Sequence, residues 1–301
     1  MIQRPLLAVT GSSGFIGRRF VEAARAHGYR VRRLARRPDP ADTSDDVRSF
    51  DLLQDKVDAA VLEGCEALVH LAAHIPADHI DPDEAERCWR ANALGTLRLV
   101  RAAIEAGVRR FVQTTSANAY AGWEAAPTET AAMFPRSRGY YLGSKILQEV
   151  YAREACGPAG LPLATLRLGS VYGPGQRAGA VAALAGAFAS ALPVALQDGG
   201  RFSADFVHVD DVVAALMLVT DGTYDEPFNV GSGVRTSILD LARMLASETG
   251  VSRSLIHVEP EAGDGDPGFP ALCIARMRSL GYSPRDLKLG LASMVAGEAR
   301  T

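Results

Sequence analysis

The sequence is poor in cysteine, has almost no excess charge of either sign and lacks any paired-cysteine motif. Its 301 residues include four widely separated cysteines and no C-x-x-C pair. This argues against a disulfide framework or a zinc site and favours reduced thiols in a cytoplasmic protein. Lysine and arginine total 32, aspartate and glutamate total 35, and the net charge is −3. Without a basic field we expect no nucleic-acid or membrane partner, and a small-molecule substrate instead.

Long hydrophobic segments are also lacking. The apolar run Leu6–Val9 is too short for a signal peptide and leads straight into a glycine loop. Ala178–Leu196 carries no charge over 19 residues, which is close to a membrane-spanning length. This segment is mostly Ala and Gly, contains Pro193 and has no aromatic belt, so we expect a small-residue helix packed on the protein rather than a membrane span.

Short apolar runs of the buried-strand type alternate with helical patterns through the first two-thirds of the chain. The expected strands are Leu6–Thr10, Tyr29–Leu34, Val47–Phe50, Ala67–Leu71, Phe111–Thr115 and Leu163–Leu168, and the expected helices are Phe15–His27, Asp55–Leu62, Glu84–Ala106 and Tyr141–Cys156. This alternation predicts an α/β fold with a doubly wound parallel sheet and helices on both faces. After Gly173 we expect an Ala-rich helix, strands Asp205–Val209 and Phe228–Val230, helices Asp210–Val219 and Ile238–Glu248, and a loose tail.

A glycine-rich loop joins the first expected strand to the first helix. The segment Thr10–Gly17 reads T-G-S-S-G-F-I-G. Gly11, Gly14 and Gly17 would allow the backbone to approach a phosphate closely at the positive end of a helix dipole. A tight structural turn is the alternative interpretation, but the order strand, loop, amphipathic helix and second strand favours a dinucleotide site.

The end of the second strand indicates which dinucleotide is bound. An acidic residue there would bind the adenosine ribose diol, whereas an arginine would pair with a 2′-phosphate. The sequence has Ala35 and Arg36 at this point and no acid before Asp39. NADP(H) is therefore favoured over NAD(H), with a solvated basic turn as the alternative interpretation of Arg36.

Three further residues suggest proton-transfer chemistry. Tyr141 and Lys145 are spaced i, i+4 at the opening of a helix, which places them on one face. A free phenol has a pKa of about 10, so a tyrosine acting near neutrality needs a cation beside it. Ser116 ends the strand that begins at Phe111 and would point out of the carboxyl edge of the sheet, where α/β sheets bind ligands.

Together these motifs resemble an extended short-chain dehydrogenase/reductase of the nucleotide-sugar epimerase/dehydratase kind, over nearly the whole chain. The shared motifs are Thr10–Gly17, Asp51–Leu52, His70–Ala73, Asn92-x-x-Gly95-Thr96, Thr114–Tyr120, Tyr141-x-x-x-Lys145, Leu166–Arg167, Val171–Pro174 and Phe206–Val212. The resemblance implies a Rossmann fold and catalytic Ser116, Tyr141 and Lys145. The residues it implies for cofactor binding are Gly11, Ser13, Gly14, Phe15, Ile16, Gly17, Arg36, Asp51, Leu52, Leu71, Ala72, Ala73, Asn92, Thr114, Tyr141 and Lys145.

The resemblance also implies a division of the chain and a dimer. We expect a dinucleotide-binding domain over residues 1–168, completed by about 205–231, and a small C-terminal α/β substrate lobe over residues 169–204 and 232–301. Helices Glu84–Ala106 and Tyr141–Cys156 of two subunits would form a homodimer interface. Asn92 has two interpretations, a structural residue or a proton relay. The histidines lack zinc-ligand spacing, and we assign no metal site.

The chain departs from the family pattern where the family binds the nucleotide diphosphate of its substrate. Ser170 stands where an asparagine is usual, Ala204 where an arginine is common, and Glu261–Ala262 where a further arginine is expected. The substrate candidates that remain are Asn118, Ser170, Arg177, Arg201 and Arg276. No acid follows Ser116, because Ala117 and Asn118 occupy those positions, and this argues against a 4,6-dehydratase.

Hydride transfer at a carbinol or ketone is the chemistry that these residues favour. We expect an NADPH-dependent keto reductase acting on a sugar nucleotide or a related carbonyl compound. The alternative is a nucleotide-sugar epimerase, which oxidises and re-reduces one carbon without net redox. A third hypothesis, a non-catalytic NADP-sensing regulator, is disfavoured by the intact set of Ser116, Tyr141 and Lys145.

Overall fold

The computed structural model describes residues 5–37, 46–122, 126–261, 263 and 266–298. Its strands are β1 (Leu6–Thr10), β2 (Arg30–Ala35), β3 (Asp46–Ser49), β4 (Ala67–His70), β5 (Arg110–Ser116), β6 (Leu163–Leu168), β7 (Ser170–Tyr172), β8 (Val194–Leu196), β9 (Ser203–His208), β10 (Pro227–Val230), β11 (Arg235–Ser237) and β12 (Ile256–Val258). Its α-helices are α1 (Phe15–Ala26), α2 (Asp83–Cys88), α3 (Gly95–Glu105), α4 (Gly139–Ala159), α5 (Ala180–Ala189), α6 (Val209–Asp221), α7 (Ile238–Thr249), α8 (Ala275–Ser279) and α9 (Leu287–Glu298).

The main sheet has seven strands in the order β10-β6-β5-β4-β1-β2-β3. Strand β1 lies parallel to both of its neighbours, and Val9 pairs with Val69 on one side and with Arg33 on the other. Every residue of β1, β4 and β6 is buried, as expected for strands covered on both faces. The predicted doubly wound α/β fold is therefore confirmed. Smaller sheets have the orders β11-β9-β7 and β12-β8.

The chain divides into two compact units. The first comprises Met1–Ala121, Met133–Arg167 and Val213–Phe228, and the second comprises Gly122–Ala132, Leu168–Val212 and Asn229–Thr301. Apolar side chains of β1, β4, β5, α3 and α4 form a continuous core in the first unit, with Leu68, Leu99 and Phe111 fully buried. This core fixes α3 and α4 on one face of the sheet.

Helix Glu84–Ala106, expected as one element, contains an irregularity. A π-helical turn over Trp89–Leu94 separates α2 from α3. Such turns occur mostly as single insertions within α-helices and are frequent at functional sites. The turn carries Asn92, one of the predicted site residues.

Two predicted elements were wrong. The expected helix Asp55–Leu62 is only a 3₁₀ turn over Ala59–Leu62. The Asp58 side chain accepts a hydrogen bond from Ala60 N at 3.0 Å, which competes with α-helical pairing. The expected loose tail instead contains α8 and α9. In α9 the apolar residues Leu287, Leu291 and Met294 recur at helical spacing, and the last two are buried.

The uncharged segment Ala178–Leu196 folds into α5, ten residues long, followed by β8. None of the helices in the described residues is long and apolar enough to cross a membrane.

Candidate active site

The glycine loop between β1 and α1 is shaped by close backbone contacts. Gly11 has φ +65°, and a Cβ there would lie 2.6 Å from Ala72 N. A Cβ on Gly17 would lie 2.0 Å from the carbonyl oxygen of Gly11. The Gly14 N–H donates to that same oxygen at 2.9 Å. These distances leave no room for a side chain at Gly11 or Gly17, as a cradle for a phosphate group requires.

The N-terminus of α1 is prepared for an anion. Its N-cap is Gly14, which contributes no side-chain hydrogen bond, and its first turn holds no acidic residue. The positive end of the helix dipole therefore meets no carboxylate of its own. Around it, Ser13 is exposed, Ile16 is partly buried and Phe15 lies beneath the guanidinium of Arg19 at 5.2 Å. The loop fits the pyrophosphate of a dinucleotide.

A chain of hydrogen bonds runs beneath this loop, and in it each side chain accepts a hydrogen bond from one neighbour and donates one to the next. Thr10 Oγ1 accepts from the N–H groups of Leu71 and Ala72 at 3.2 and 3.1 Å. Its own proton therefore goes to His70 Nδ1 at 2.7 Å, so His70 Nε2 carries the ring proton and donates to Thr96 Oγ1 at 2.9 Å. Burial, followed by the charge of Lys145, lowers the pKa of His70 to about 3. His70 is a neutral structural link between β1, β4 and α3.

The turn after β3 is packed against the start of α3. The Asp51 carboxylate accepts a hydrogen bond from Leu53 N at 2.9 Å, and a Cβ on Gly95 would lie 2.4 Å from the carbonyl oxygen of Leu52. Asp51 therefore stabilises the turn, and Leu52 is buried. Position 95 needs a glycine because the backbone of Leu52 packs too closely against it for a side chain.

Arg33 on β2 was not among the predicted cofactor residues, which near this strand include only Arg36, just after its end. Arg33 lies opposite Val9, one residue before the end of β1, and its Nε donates to Ser12 Oγ of the glycine loop at 3.5 Å. Arg36 is exposed just beyond β2. The register of β2 against β1 was the signal that could have found Arg33, because it brings the residue level with the loop.

The expected catalytic side chains lie on β5 and α4 of the first unit. Ser116 is the last residue of β5, and its Oγ accepts from Asn118 N at 3.3 Å. Tyr141 and Lys145 lie in the first two turns of α4. Thr115 Oγ1 donates to Glu149 at 3.3 Å, which ties α4 to the carboxyl end of β5, the strand that ends in Ser116. Thr114 is buried on the same strand.

Burial dominates the titration of the tyrosine and the lysine. It raises the pKa of Tyr141 to about 12, with a further rise from Cys88, while the nearby charge of Arg138 opposes it. Burial lowers the pKa of Lys145 to about 7, and the charge of Glu149 opposes that shift. The cation that opposes the rise in the pKa of Tyr141 is therefore Arg138, and not Lys145 one turn further along the helix.

Asn92 is a structural link in this geometry. Its Oδ1 accepts from His74 N at 2.8 Å, and its Nδ2 donates to His74 O and to Ser144 Oγ, both at 2.9 Å. Ser144 Oγ in turn donates to the carbonyl oxygen of Tyr141 at 2.7 Å. These bonds support the structural interpretation of Asn92, since they join the π turn to the helix that carries Tyr141.

The segment after β4 carries two histidines, of which His79 lies near the tyrosine. The His79 ring lies 6.1 Å from that of Tyr141, and its buried Nδ1 has no partner in the part of the chain that the structure describes. His74 is hydrogen-bonded to Glu84, with Cys88 nearby. Arg87 also forms an ion pair with Glu84, at 3.1 Å, so an arginine already compensates the charge of this carboxylate.

The substrate candidates other than Asn118 lie in the second unit and differ in how far they are engaged. Arg201 pairs with Asp198 at 2.7 Å and with Glu261 at 3.2 Å, so its charge is compensated internally. Arg276 lies 3.9 Å from the buried Glu129. Arg177 is exposed and Ser170 begins β7.

Comparison with known proteins identifies the family. The NAD dependent epimerase/dehydratase family matches residues 7–231. The chain belongs to this family. A UDP-glucose 4-epimerase of Mycolicibacterium smegmatis is 30% identical over 85% of this chain and 86% of its own. A dTDP-L-rhamnose 4-epimerase of Burkholderia thailandensis is 28% identical over 96% of this chain and 93% of its own.

A solved structure supports the same assignment. MoeE5 in complex with UDP-glucose and NAD is 31% identical, covers 98% of each chain and superposes with a TM-score of 0.83. The protein is therefore an enzyme of the NAD-dependent epimerase/dehydratase family, with the extended short-chain dehydrogenase/reductase fold that the motifs predicted.

Proposed function

We propose that this protein is an epimerase of a nucleotide sugar, inverting one ring carbinol by transient oxidation and re-reduction. The observation that carries the proposal is the set of Ser116, Tyr141 and Lys145 on the unit that holds the glycine cradle, without an acid beside Ser116. Two relatives are named as 4-epimerases, which makes carbon 4 the expected position. The comparisons favour this alternative over the keto reductase that sequence analysis placed first.

Each of the three side chains has a defined role in the proposed reaction. Tyr141 takes the proton of the substrate hydroxyl, and it returns the proton after the keto sugar has rotated to present its other face. Ser116 donates a hydrogen bond to the same oxygen, and Lys145 binds the nicotinamide ribose and stabilises the tyrosinate charge. The chemistry that a bound nicotinamide would supply is that of a hydride acceptor in the oxidation and a hydride donor in the re-reduction. The burial of Lys145, 3% exposed, keeps water from its ammonium.

A dehydratase is disfavoured by the residues after Ser116. Dehydration requires a carboxylic acid that protonates the leaving hydroxyl, and Ala117 and Asn118 stand at those positions in a 3₁₀ turn. Asn118 can hydrogen-bond a sugar hydroxyl but cannot supply that proton.

A keto reductase is the second candidate, and one specific observation favours it. Arg33, held at the glycine loop, and the exposed Arg36 offer two cations where a 2′-phosphate would lie, and the strand end has no acid. We propose that NADP(H) binds more tightly than NAD(H). The phosphorylated cofactor pool is usually poised for reduction, which would suit net NADPH oxidation.

One experiment separates these functions. The purified protein is incubated with UDP- and dTDP-sugars, first without added nicotinamide and then with NADPH or NADH. Interconversion of two epimers by protein that retains its cofactor supports the epimerase. Mole-for-mole loss of NADPH absorbance with a 4-keto sugar supports the reductase. Tight cofactor binding with no turnover on any sugar would favour the sensing regulator.

We further propose that residues 169–204 and 232–301 form the substrate lobe and that two copies associate as a homodimer, in the cytoplasm. Trp89, at the start of the π turn, and Tyr140, Leu147 and Val150 on α4 are large apolar side chains with 37–44% of their surface exposed. Apolar surface on these two segments is consistent with the interface that the resemblance implies.

A further inference from the structure

A line of buried amides leads away from the ammonium of Lys145. Lys145 Nζ donates to Oε1 of Gln148, one helical turn further along α4. Gln148 Nε2 donates to Gln113 Oε1 at 3.0 Å and to the carbonyl oxygen of Thr114 at 3.3 Å. Gln113 Nε2 then donates to Thr165 Oγ1 at 3.0 Å. The line joins α4, β5 and β6, and both glutamines are fully buried.

The order of donors and acceptors in this line follows from the lysine. An ammonium has three donors and no acceptor, so the amide oxygen of Gln148 must face it. The NH₂ group of Gln148 then faces β5, where Gln113 Oε1 and Thr114 O both accept. Turning either amide over would place donor against donor in a site without water access, at the cost of an unpaired buried group.

The charges around Lys145 come from three elements. Glu149 on α4 is the carboxylate that acts on it, and this carboxylate is itself bound by Arg167 of β6 and by Arg153 of α4. On β4, His70 is held neutral. Because the Glu149 carboxylate is shared with two guanidinium groups, the direct acceptor for the lysine in the described part of the chain is the oxygen of Gln148.

We infer that Gln148 is a positioning residue, which with Gln113 behind it holds the Lys145 ammonium where the lysine serves Tyr141 and the cofactor ribose. The inference rests on the proposed role of Lys145. Neither glutamine touches the reacting atoms, and both act through the lysine. Without an oriented acceptor for its ammonium, the flexible lysine side chain would sample several rotamers. The Gln148 oxygen favours the one rotamer that brings the ammonium to it.

The test uses the unusual scarcity of lysine in this chain. Its three lysines are Lys56, Lys145 and Lys288, so lysine labelled with ¹³C at Cε gives three signals, and Lys145→Met assigns the one of interest. Gln148→Met keeps the length and removes the acceptor, so the pKa of Lys145 falls by about one unit or more. Gln148→Glu replaces the amide by an anion, so the pKa of Lys145 rises.

The opposite directions of these two shifts distinguish positioning from packing. Gln148→Met is expected to weaken cofactor binding about ten-fold, whereas Gln148→Glu weakens it less because a carboxylate oxygen still accepts from the Lys145 ammonium. Gln197→Met makes the same change at an exposed glutamine of the second unit, and this matched control leaves the Lys145 signal unchanged.

Shifts in the same direction for both Gln148 variants, or an unmoved Lys145 signal, would overturn the inference. The titration and the binding measurement need no substrate. Absence of epimerase activity would therefore count against the proposed function and leave this result intact.

Discussion

Gly17 of α1 lies directly against the carbonyl oxygen of Gly11, so closely that the position admits no side chain. The contact packs the first turn of the helix against the loop that precedes it.

Gly17→Ala is expected to abolish cofactor binding. Its methyl group would push the glycine loop away from α1 and disrupt the proposed phosphate site. Calorimetry with NAD(H) and NADP(H) should therefore show no measurable heat of binding. Gly186→Ala is the control, because nothing lies within 4 Å of a Cβ at that helical glycine. That variant should bind normally and gain about 0.5–1 kcal/mol of stability. Normal binding by Gly17→Ala would show that the dinucleotide does not use this loop.

Tyr141→Phe is expected to remove turnover and leave cofactor affinity nearly unchanged. Phenylalanine keeps the ring and deletes only the hydroxyl that transfers the proton. Lys145→Met is expected to reduce both turnover and cofactor affinity, because its ammonium serves two partners. Steady-state rates and calorimetry on both variants check this. A Tyr141→Phe rate within a few-fold of the parent would remove the tyrosine from the proton-transfer step.

Much of the fold could be predicted from the sequence because its strands are covered on both faces. Continuous apolar runs such as Leu6–Thr10 and Leu163–Leu168 must be buried on both faces, which a central strand of a parallel sheet provides. The predicted bounds of both strands agree with the structure. The π turn at Trp89–Leu94 could not be predicted, since one extra residue in a helix leaves the apolar pattern almost unchanged. The 3₁₀ turn at Ala59–Leu62 depends on a local side-chain cap that competes with a weak helix.

The site was predictable only as far as its motifs reached. Gly11, Ser116, Tyr141 and Lys145 follow from fixed spacings along the chain. The glutamines behind the lysine do not, because Gln113 and Gln148 meet through the packing of α4 on β5 across 35 residues of sequence.

Arg33→Ala is expected to weaken binding of NADPH roughly ten- to a hundred-fold while leaving NADH unaffected, since a charge-assisted bond to phosphate contributes about 1.5–3 kcal/mol. Arg36→Ala should act in the same direction. Arg30→Ala, an exposed arginine at the opposite end of β2, is the control. If calorimetry shows NADH binding as tightly as NADPH to the parent, the two arginines are not a 2′-phosphate site.

Leu147→Glu on α4 is expected to convert the proposed dimer to monomer. The side chain is 37% exposed and a carboxylate there would be desolvated without a partner. Light scattering after size exclusion gives the mass of parent and variant. Leu289→Glu changes an apolar side chain that is 68% exposed on α9 and should leave the mass unaltered. A parent that is already monomeric would rule out this interface.

The buried lysine makes a defined contribution to the pH dependence of stability. Its pKa is about 7 in the folded protein against 10.5 for an ordinary lysine. Between these values the unfolded chain holds a proton that the folded protein has released. The free energy of unfolding should therefore rise with pH in this window, by up to about 1.4 kcal/mol per pH unit. Below pH of about 7 both states are charged and the burial penalty is fully present.

Lys145→Met removes this titration. Urea unfolding of parent and variant at intervals from pH 6 to about 10 isolates it, because other groups cancel in the difference between the two curves. As pH rises, the free energy of unfolding of the parent should increase steadily relative to that of Lys145→Met. Lys56→Met changes an exposed lysine, and its stability should show the same pH dependence as that of the parent. Parallel curves for the parent and Lys145→Met would mean that the lysine keeps its ordinary pKa. Its charge would then be stabilised by Gln148 and Glu149 far more strongly than their geometry indicates.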